Sequence, residues 1–148
     1  MYKKILVPVD GSELAECALG HVRAIAKGCN VPEVVLLMVV EPLRNTYELG
    51  EDWYKSAEEK IRADAKDYLS KEVAALKKDS ITASAVVMSD QPAEAILNYA
   101  KRNQVDLIIM STHGRTGVSR WVIGSVADRV VHHSVAPVLS VSPAGCRV

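Results

Sequence analysis

Short apolar runs alternate along the chain with longer stretches whose apolar residues recur every three or four positions. Residues 4–9 (Lys-Ile-Leu-Val-Pro-Val) predict a first strand. The run is mostly apolar rather than alternating, the pattern of a strand covered on both faces. Asp10-Gly11-Ser12-Glu13 is a turn and a helix start. Over 14–27, Leu14, Cys17, Ala18, Val22, Ile25 and Ala26 gather on one side, which predicts an amphipathic helix ended by Gly28. Residues 33–40 predict a second buried strand, and 42–52 a polar loop that is long for such a fold. A long charged helix is expected over 53–78, its apolar side made by Ile61, Ala65, Leu69, Val73 and Leu76. A third strand over 82–87, a short helix over 92–101 with Pro92 in its first turn, and a fourth strand over 105–110 follow. A Gly-interrupted helical region over 114–133, a fifth strand over 136–141 and a frayed tail over 143–148 complete the pattern.

The resulting order, β-α-β-α-β-α-β-α-β, implies an α/β fold: a parallel sheet with helices on both faces. Ligands of such sheets bind beyond the carboxyl ends of the strands, where the strand order reverses. With the first strand central, the reversal falls between the first and fourth strands. The loops facing that crevice are 8–13 and 110–117, the two segments of most unusual composition.

Composition narrows the function classes. The 148 residues fit a single domain, 1–148, large enough for one real core. Eighteen basic and eighteen acidic residues balance to zero, which argues against a broad nucleic-acid or membrane surface. A local anion site needs only a few donors and stays open. Cys17, Cys29 and Cys146 are odd in number and widely spaced, poor material for a disulfide framework or a zinc site. They are expected to be reduced thiols of a cytoplasmic protein. Residues 5–9 are too short for a signal-peptide core, and no run approaches the ~20 apolar residues of a membrane helix.

The candidate chemistry lies in residues 110–126. Gly114 and Gly117 follow a strand, and glycines there let main-chain N–H groups approach an anion closely. Gly124-Ser125 restarts a helix, with Ser125 as the expected cap and Asp128 three residues on. A helix start presents unpaired N–H groups and the positive end of the dipole, which suits a phosphate. The pattern is neither a Walker A loop nor a G-x-G-x-x-G fingerprint, and the glycines alone could merely shape a strand-to-helix turn.

Val7-Pro8-Val9-Asp10-Gly11-Ser12-Glu13 resembles the opening of the universal stress proteins. Ser111-x-His113-Gly114-x9-Gly124-Ser125 resembles their ATP-binding motif, G-x2-G-x9-G-S/T, with Ser111 in place of the first glycine. Gln91-Pro92-Ala93-Glu94-Ala95-Ile96 and Ala136-Pro137-Val138-Leu139-Ser140-Val141 match as well, so the likeness runs along nearly the whole chain. The resemblance implies a Rossmann-like, adenine nucleotide alpha hydrolase-like three-layer sandwich with strand order 3-2-1-4-5. It also implies ATP, or ADP or AMP, as the ligand, with Mg2+ bridging the phosphates, and a homodimer through the edge strand 136–141. By the same resemblance Asp10 meets the ribose or lies near the base. Pro8, Val9 and Val39 line the adenine slot, Met110 packs on the nucleoside, and Ser111 lies beside the ribose. Gly114, Gly124, Ser125 and Val126 give donors to the phosphates.

Several residues carry two readings. Asp10 is a ligand contact or a helix-cap partner. His113 touches phosphate or is a partly solvated loop residue; Arg115 and Arg120 supplement the phosphate site or form a solvated face. His132 and His133 suit a helix C-terminus, while Trp53 and Trp121 are packing or interface residues. No catalytic set is placed near the phosphates, so a regulatory binding module with at most slow hydrolysis is expected. A dimeric interaction protein with a vestigial pocket and an ATP-using enzyme of a related fold are the alternatives.

Overall fold

The computed structural model describes residues 1–43, 48–113 and 123–142. Strands β1 (Lys4–Pro8), β2 (Glu33–Val40), β3 (Ala83–Ser89), β4 (Leu107–Ser111) and β5 (Val138–Val141) alternate with helices α1 (Glu13–Gly28), α2 (Glu51–Lys78), α3 (Pro92–Arg102) and α4 (Ser125–His133). The sheet is parallel throughout, as the element pattern implied, and its order is β3-β2-β1-β4-β5, as the family resemblance implied. Successive strand residues point to opposite faces. Ile5, Val7, Val34, Leu36, Leu107 and Ile109 therefore pack under α1 and α2. Leu6, Val35, Leu37, Ile108 and Met110 pack under α3 and α4. Two cores, one on each face, explain why the central strands are apolar at every position but their ends.

The helices are less regular than their periodicity suggests. In α2 only Ala65, Leu69, Val73 and Leu76 are buried. Ile61, expected on the same apolar side, is 38% exposed, and Trp53 is 51% exposed with Tyr54 edge-on to its ring. The apolar stripe simply outruns the sheet beneath it: residues 51–64 extend the helix by about 20 Å and contain no buried residue. The helix also starts at Glu51, so the preceding loop is shorter than expected. The cysteines depart from expectation too. Cys29 is an exposed free thiol, but Cys17 is disulfide-bonded, a pairing that spacing along the chain does not reveal.

The N-terminal edge of the sheet is stapled by Asp106. Its Oδ2 accepts the main-chain N–H groups of Lys3 and Lys4, both at 2.8 Å. Those two bonds, more than the nearby charges, hold its carboxyl below the usual carboxylate range. A depressed folded-state value contributes stability that is fully present above the unfolded value, about 3.9, and is lost as pH falls through the folded one. Asp106→Asn is therefore expected to lower stability at pH 7. The difference between variant and wild type should shrink as the pH is taken below about 4. Denaturant titrations at several pH values read this directly; a pH-independent difference would contradict the staple.

Candidate functional site

The chain leaves β1 toward β2 on one side and leaves β4 toward β5 on the other, so the order reverses between β1 and β4. Beyond their carboxyl ends lie two turns built by local chemistry. In the first, Val9 is still paired, its N–H donating to the Leu37 carbonyl at 2.9 Å. Asp10 then ends the strand, half-buried. Gly11 takes φ +81°, open to glycine without strain, and turns the chain back on itself. Ser12 caps α1: its Oγ accepts the Ala15 N–H at 3.2 Å while its own N–H and hydroxyl donate to Asp10 Oδ1 at 2.9 and 2.5 Å. Asp10 is thus both a cap partner and a carboxylate fixed at the crevice.

The second turn follows β4. Ser111, Thr112 and His113 are all buried. The Ser111 hydroxyl donates to the His113 carbonyl at 2.8 Å and accepts the His113 N–H at 3.3 Å, so the strand end is locked onto itself. Thr112 Oγ1 lies 2.7 Å from His113 Nδ1, and the Thr112 N–H donates to the Val141 carbonyl at 2.9 Å. His113 is therefore part of the wall rather than a solvated loop residue. The Thr112 carbonyl accepts the Gly124 N–H at 2.7 Å, which ties the start of α4 to the end of β4.

This arrangement corrects two details of the motif. Gly124, not Ser125, is the N-cap of α4, and no side chain caps the helix; Ser125 is its first residue. The Gly124 N–H is spent on the Thr112 carbonyl, whereas the motif would aim it at the phosphates. Gly124 is glycine for a steric reason. A Cβ there would lie 2.7 Å from the Thr112 carbonyl oxygen. The first N–H groups of α4, those of Ser125 and Val126 among them, have no partner within the helix. Ser125 is exposed and Val126 half-buried.

Of the other expected residues, Pro8 and Val39 are half-buried, and Val9 and Met110 are buried in opposite cores. Gly114, Arg115, Gly117, Arg120 and Trp121 lie outside the described residues. His132 hydrogen-bonds the Asp128 carbonyl at 2.8 Å near the end of α4, the structural role read from the sequence. Ser12 and Thr112 are the residues that sequence reasoning missed. Asp-Gly-Ser signals a turn with a side chain bonded two residues on, so Ser12 was within reach; nothing local marks Thr112.

Charge is distributed unequally around the crevice. On the α1–α2 side the Tyr68 hydroxyl donates to Glu16 at 3.2 Å. Burial first, then the charges of Glu16, Glu72 and Asp10, push the Tyr68 hydroxyl well above the ordinary phenol value. Burial and Glu16 likewise raise Glu72, against the pull of Arg23. This flank repels anions. The α4 start, across the β1–β4 boundary, carries the positive end of the helix dipole and attracts them. A groove of about 570 Å3 lies at the opposite end of the sheet, lined by Lys27, Asn30, Asp79 and Ser80 among others. It sits at the amino edge of the strands, where parallel sheets do not present their sites.

Residues 1–142 match the Universal stress protein family. The chain belongs to that family. As a universal stress protein it is 33% identical to universal stress protein MJ0577 of Methanocaldococcus jannaschii, over 95% of each chain. The solved structure of MJ0577 superposes with a TM-score of 0.83 at 35% identity, over 95% of each chain. Universal stress protein UspA of Lactobacillus plantarum gives 0.85 at 26% identity, covering 94% of this chain and 97% of that one. More distant universal stress proteins solved with cAMP (19% identical, TM-score 0.67) and with dAMP (from Archaeoglobus fulgidus, 20% identical, 0.64) share the fold. Among the described residues no helix is long and apolar enough to cross a membrane.

Proposed function

We propose that this universal stress protein binds an adenine nucleotide, ATP or its ADP or AMP products, at the carboxyl edge of β1 and β4, and acts as a regulatory module in a stress response rather than as a dedicated enzyme. The observation that carries the reading is the opposed polarity of the crevice. A fixed carboxylate, Asp10, stands on an acidic flank, and the uncapped N-terminus of α4 stands across the strand boundary. A nucleotide has the matching asymmetry: hydroxyl donors on its ribose and negative charge on its phosphates. The acidic flank turns the phosphates away from Asp10 and toward Ser125 and Val126, while the ribose hydroxyls donate to Asp10. Pro8, Val9, Val39 and Met110 supply the apolar walls for the base and ribose. Relatives of the same fold solved with cAMP and dAMP support adenine as the base.

Mg2+, when bound with the nucleotide, would neutralise charge on its phosphates; no group of three or more His, Cys, Asp or Glu among the described residues could hold the ion by itself. The family motif implies Gly114 as a phosphate donor, and in this reading the Arg115 charge supplements it. The expected test is chemical: unfolding the purified protein releases an adenine nucleotide, identified by chromatography. Absence of any nucleotide, together with no binding on adding ATP, would overturn the reading. Sustained hydrolysis above about 1 s⁻¹, the low end of ordinary enzyme rates, would favour the enzyme alternative.

The proposal includes a homodimer through β5. Among the described residues that strand is a sheet edge, paired only with β4, and such an edge offers main-chain groups to a second copy. Val131 and Val135 nearby are 42% and 68% exposed. Light scattering on the purified protein should give twice the chain mass, and a monomer at micromolar concentration would contradict it.

A further inference from the structure

We infer that Ser12 is a positioning residue: it holds the Asp10 carboxylate for the ribose and thereby sets how strongly the site prefers a ribonucleotide to its deoxy counterparts. This rests on the nucleotide reading above. An aspartate at the end of a strand is free to rotate about two side-chain bonds unless something holds it. Here both the N–H and the hydroxyl of Ser12 converge on the same oxygen, Oδ1, at 2.9 and 2.5 Å. The hydroxyl is held in turn, because its oxygen accepts the Ala15 N–H at 3.2 Å. It relays the rigid first turn of α1 to the carboxylate. Gly11 makes this possible, since its φ of +81° folds Ser12 back over Asp10.

A carboxylate held in one orientation distinguishes a ligand that donates to it from one that lacks the donor. An isostere missing a single hydroxyl leaves the charge without its match, and that is how polar sites discriminate most strongly. With one of its two Ser12 donors removed, the carboxylate is held less firmly, adapts more readily to either ligand, and the preference weakens. Ser12 therefore acts on selectivity more than on binding as a whole.

Calorimetric titration of wild type, Ser12→Ala and Ser12→Thr with ATP, 2′-deoxy-ATP and 3′-deoxy-ATP separates the possibilities. Wild type is expected to prefer ATP over at least one deoxy analogue by about tenfold. Ser12→Ala keeps the main-chain N–H on Oδ1 but loses the hydroxyl, so the ratio should fall by several-fold there and persist in Ser12→Thr, which keeps the hydroxyl. A residue that merely capped α1 would weaken all three ligands alike, so an unchanged ratio in Ser12→Ala overturns the inference. Equal affinities in wild type would overturn it too, since Asp10 would then not be reading the ribose. Failure of wild type to bind any of the three would instead defeat the nucleotide reading itself. Should Ser12→Ala fold poorly, Ser12→Gly, which caps a helix nearly as well, carries the same comparison.

Discussion

Replacing Gly124 by alanine is expected to lower nucleotide affinity by at least about tenfold and to lower Tm by about 5 °C or more. The substitution adds one methyl group and removes nothing. Its backbone cost is small, because Gly124 sits at φ −61°, ψ 150°, ordinary for any residue. The penalty is steric: the new Cβ would meet the Thr112 carbonyl oxygen at 2.7 Å, and a main-chain atom cannot swing aside as a flexible side chain does. Either α4 or the end of β4 must move. Movement stretches the bond between the Gly124 N–H and the Thr112 carbonyl, and it retracts the N–H groups of Ser125 and Val126 from the crevice. Overpacking of this kind costs about 1–3 kcal/mol. A buried carbonyl left unpaired adds a comparable amount. Gly20→Ala is the matched control. Gly20 is exposed in the middle of α1 and its Cβ would touch nothing within 4 Å. That change should stabilise the protein by about 0.5–1 kcal/mol and leave affinity alone. Thermal unfolding and titration of both variants check the pair; a Gly124→Ala protein that binds like wild type would remove this junction from the account.

Replacing Asp10 by alanine tests the other half of the crevice, and here the sign of the effect decides. A carboxylate that only stands near a polyanion repels it, so its removal should leave ATP affinity unchanged or raise it slightly. At about 10 Å through water that repulsion is worth about 0.4 kcal/mol per charge before salt screening. A carboxylate that accepts ribose hydroxyls contributes more, about 1.5–3 kcal/mol, as hydrogen bonds to charged groups do. The second effect wins if the contact exists. Asp10→Ala is expected to weaken ATP binding by about 10- to 100-fold. Inorganic triphosphate, which has no ribose, should bind as well as before or slightly better. The fold should survive, because Ser12 still caps α1 through Ala15. Equal or tighter ATP binding in the variant would exclude Asp10 as a ribose contact.

The parts of this protein that were legible in its sequence are those set by short-range pattern. Residues 4–9 and 33–40 show burial on both faces, and burial on both faces is what a central parallel strand has. The Gly124-Ser125 helix restart was legible in the sequence and α4 begins there, although Gly124 rather than Ser125 takes the cap position. What the sequence hid depends on contacts between distant residues. Gly124 could be read as a glycine that invites phosphate, but its actual constraint is Thr112, twelve positions earlier and joined to it only by folding. Periodicity assigned Ile61 to the buried side of α2 yet carries no record of where the underlying sheet ends. The disulfide at Cys17 is hidden for the same reason. Ser111, which stands in place of the motif's first glycine, spends its hydroxyl on the His113 main chain, a use visible only once the turn is formed.

The central claim is that one nucleotide spans the boundary between β1 and β4, ribose toward Asp10 and phosphates toward the start of α4. Amide NMR spectra recorded while ATP is added to nucleotide-free protein test it most directly. The account predicts saturable shifts of the Gly11, Ser12, Ser125 and Val126 amides, with Asn30, Ser80 and Gln104 at the far edge of the sheet unmoved. Shifts centred on that far edge, or no shifts at all, would contradict it.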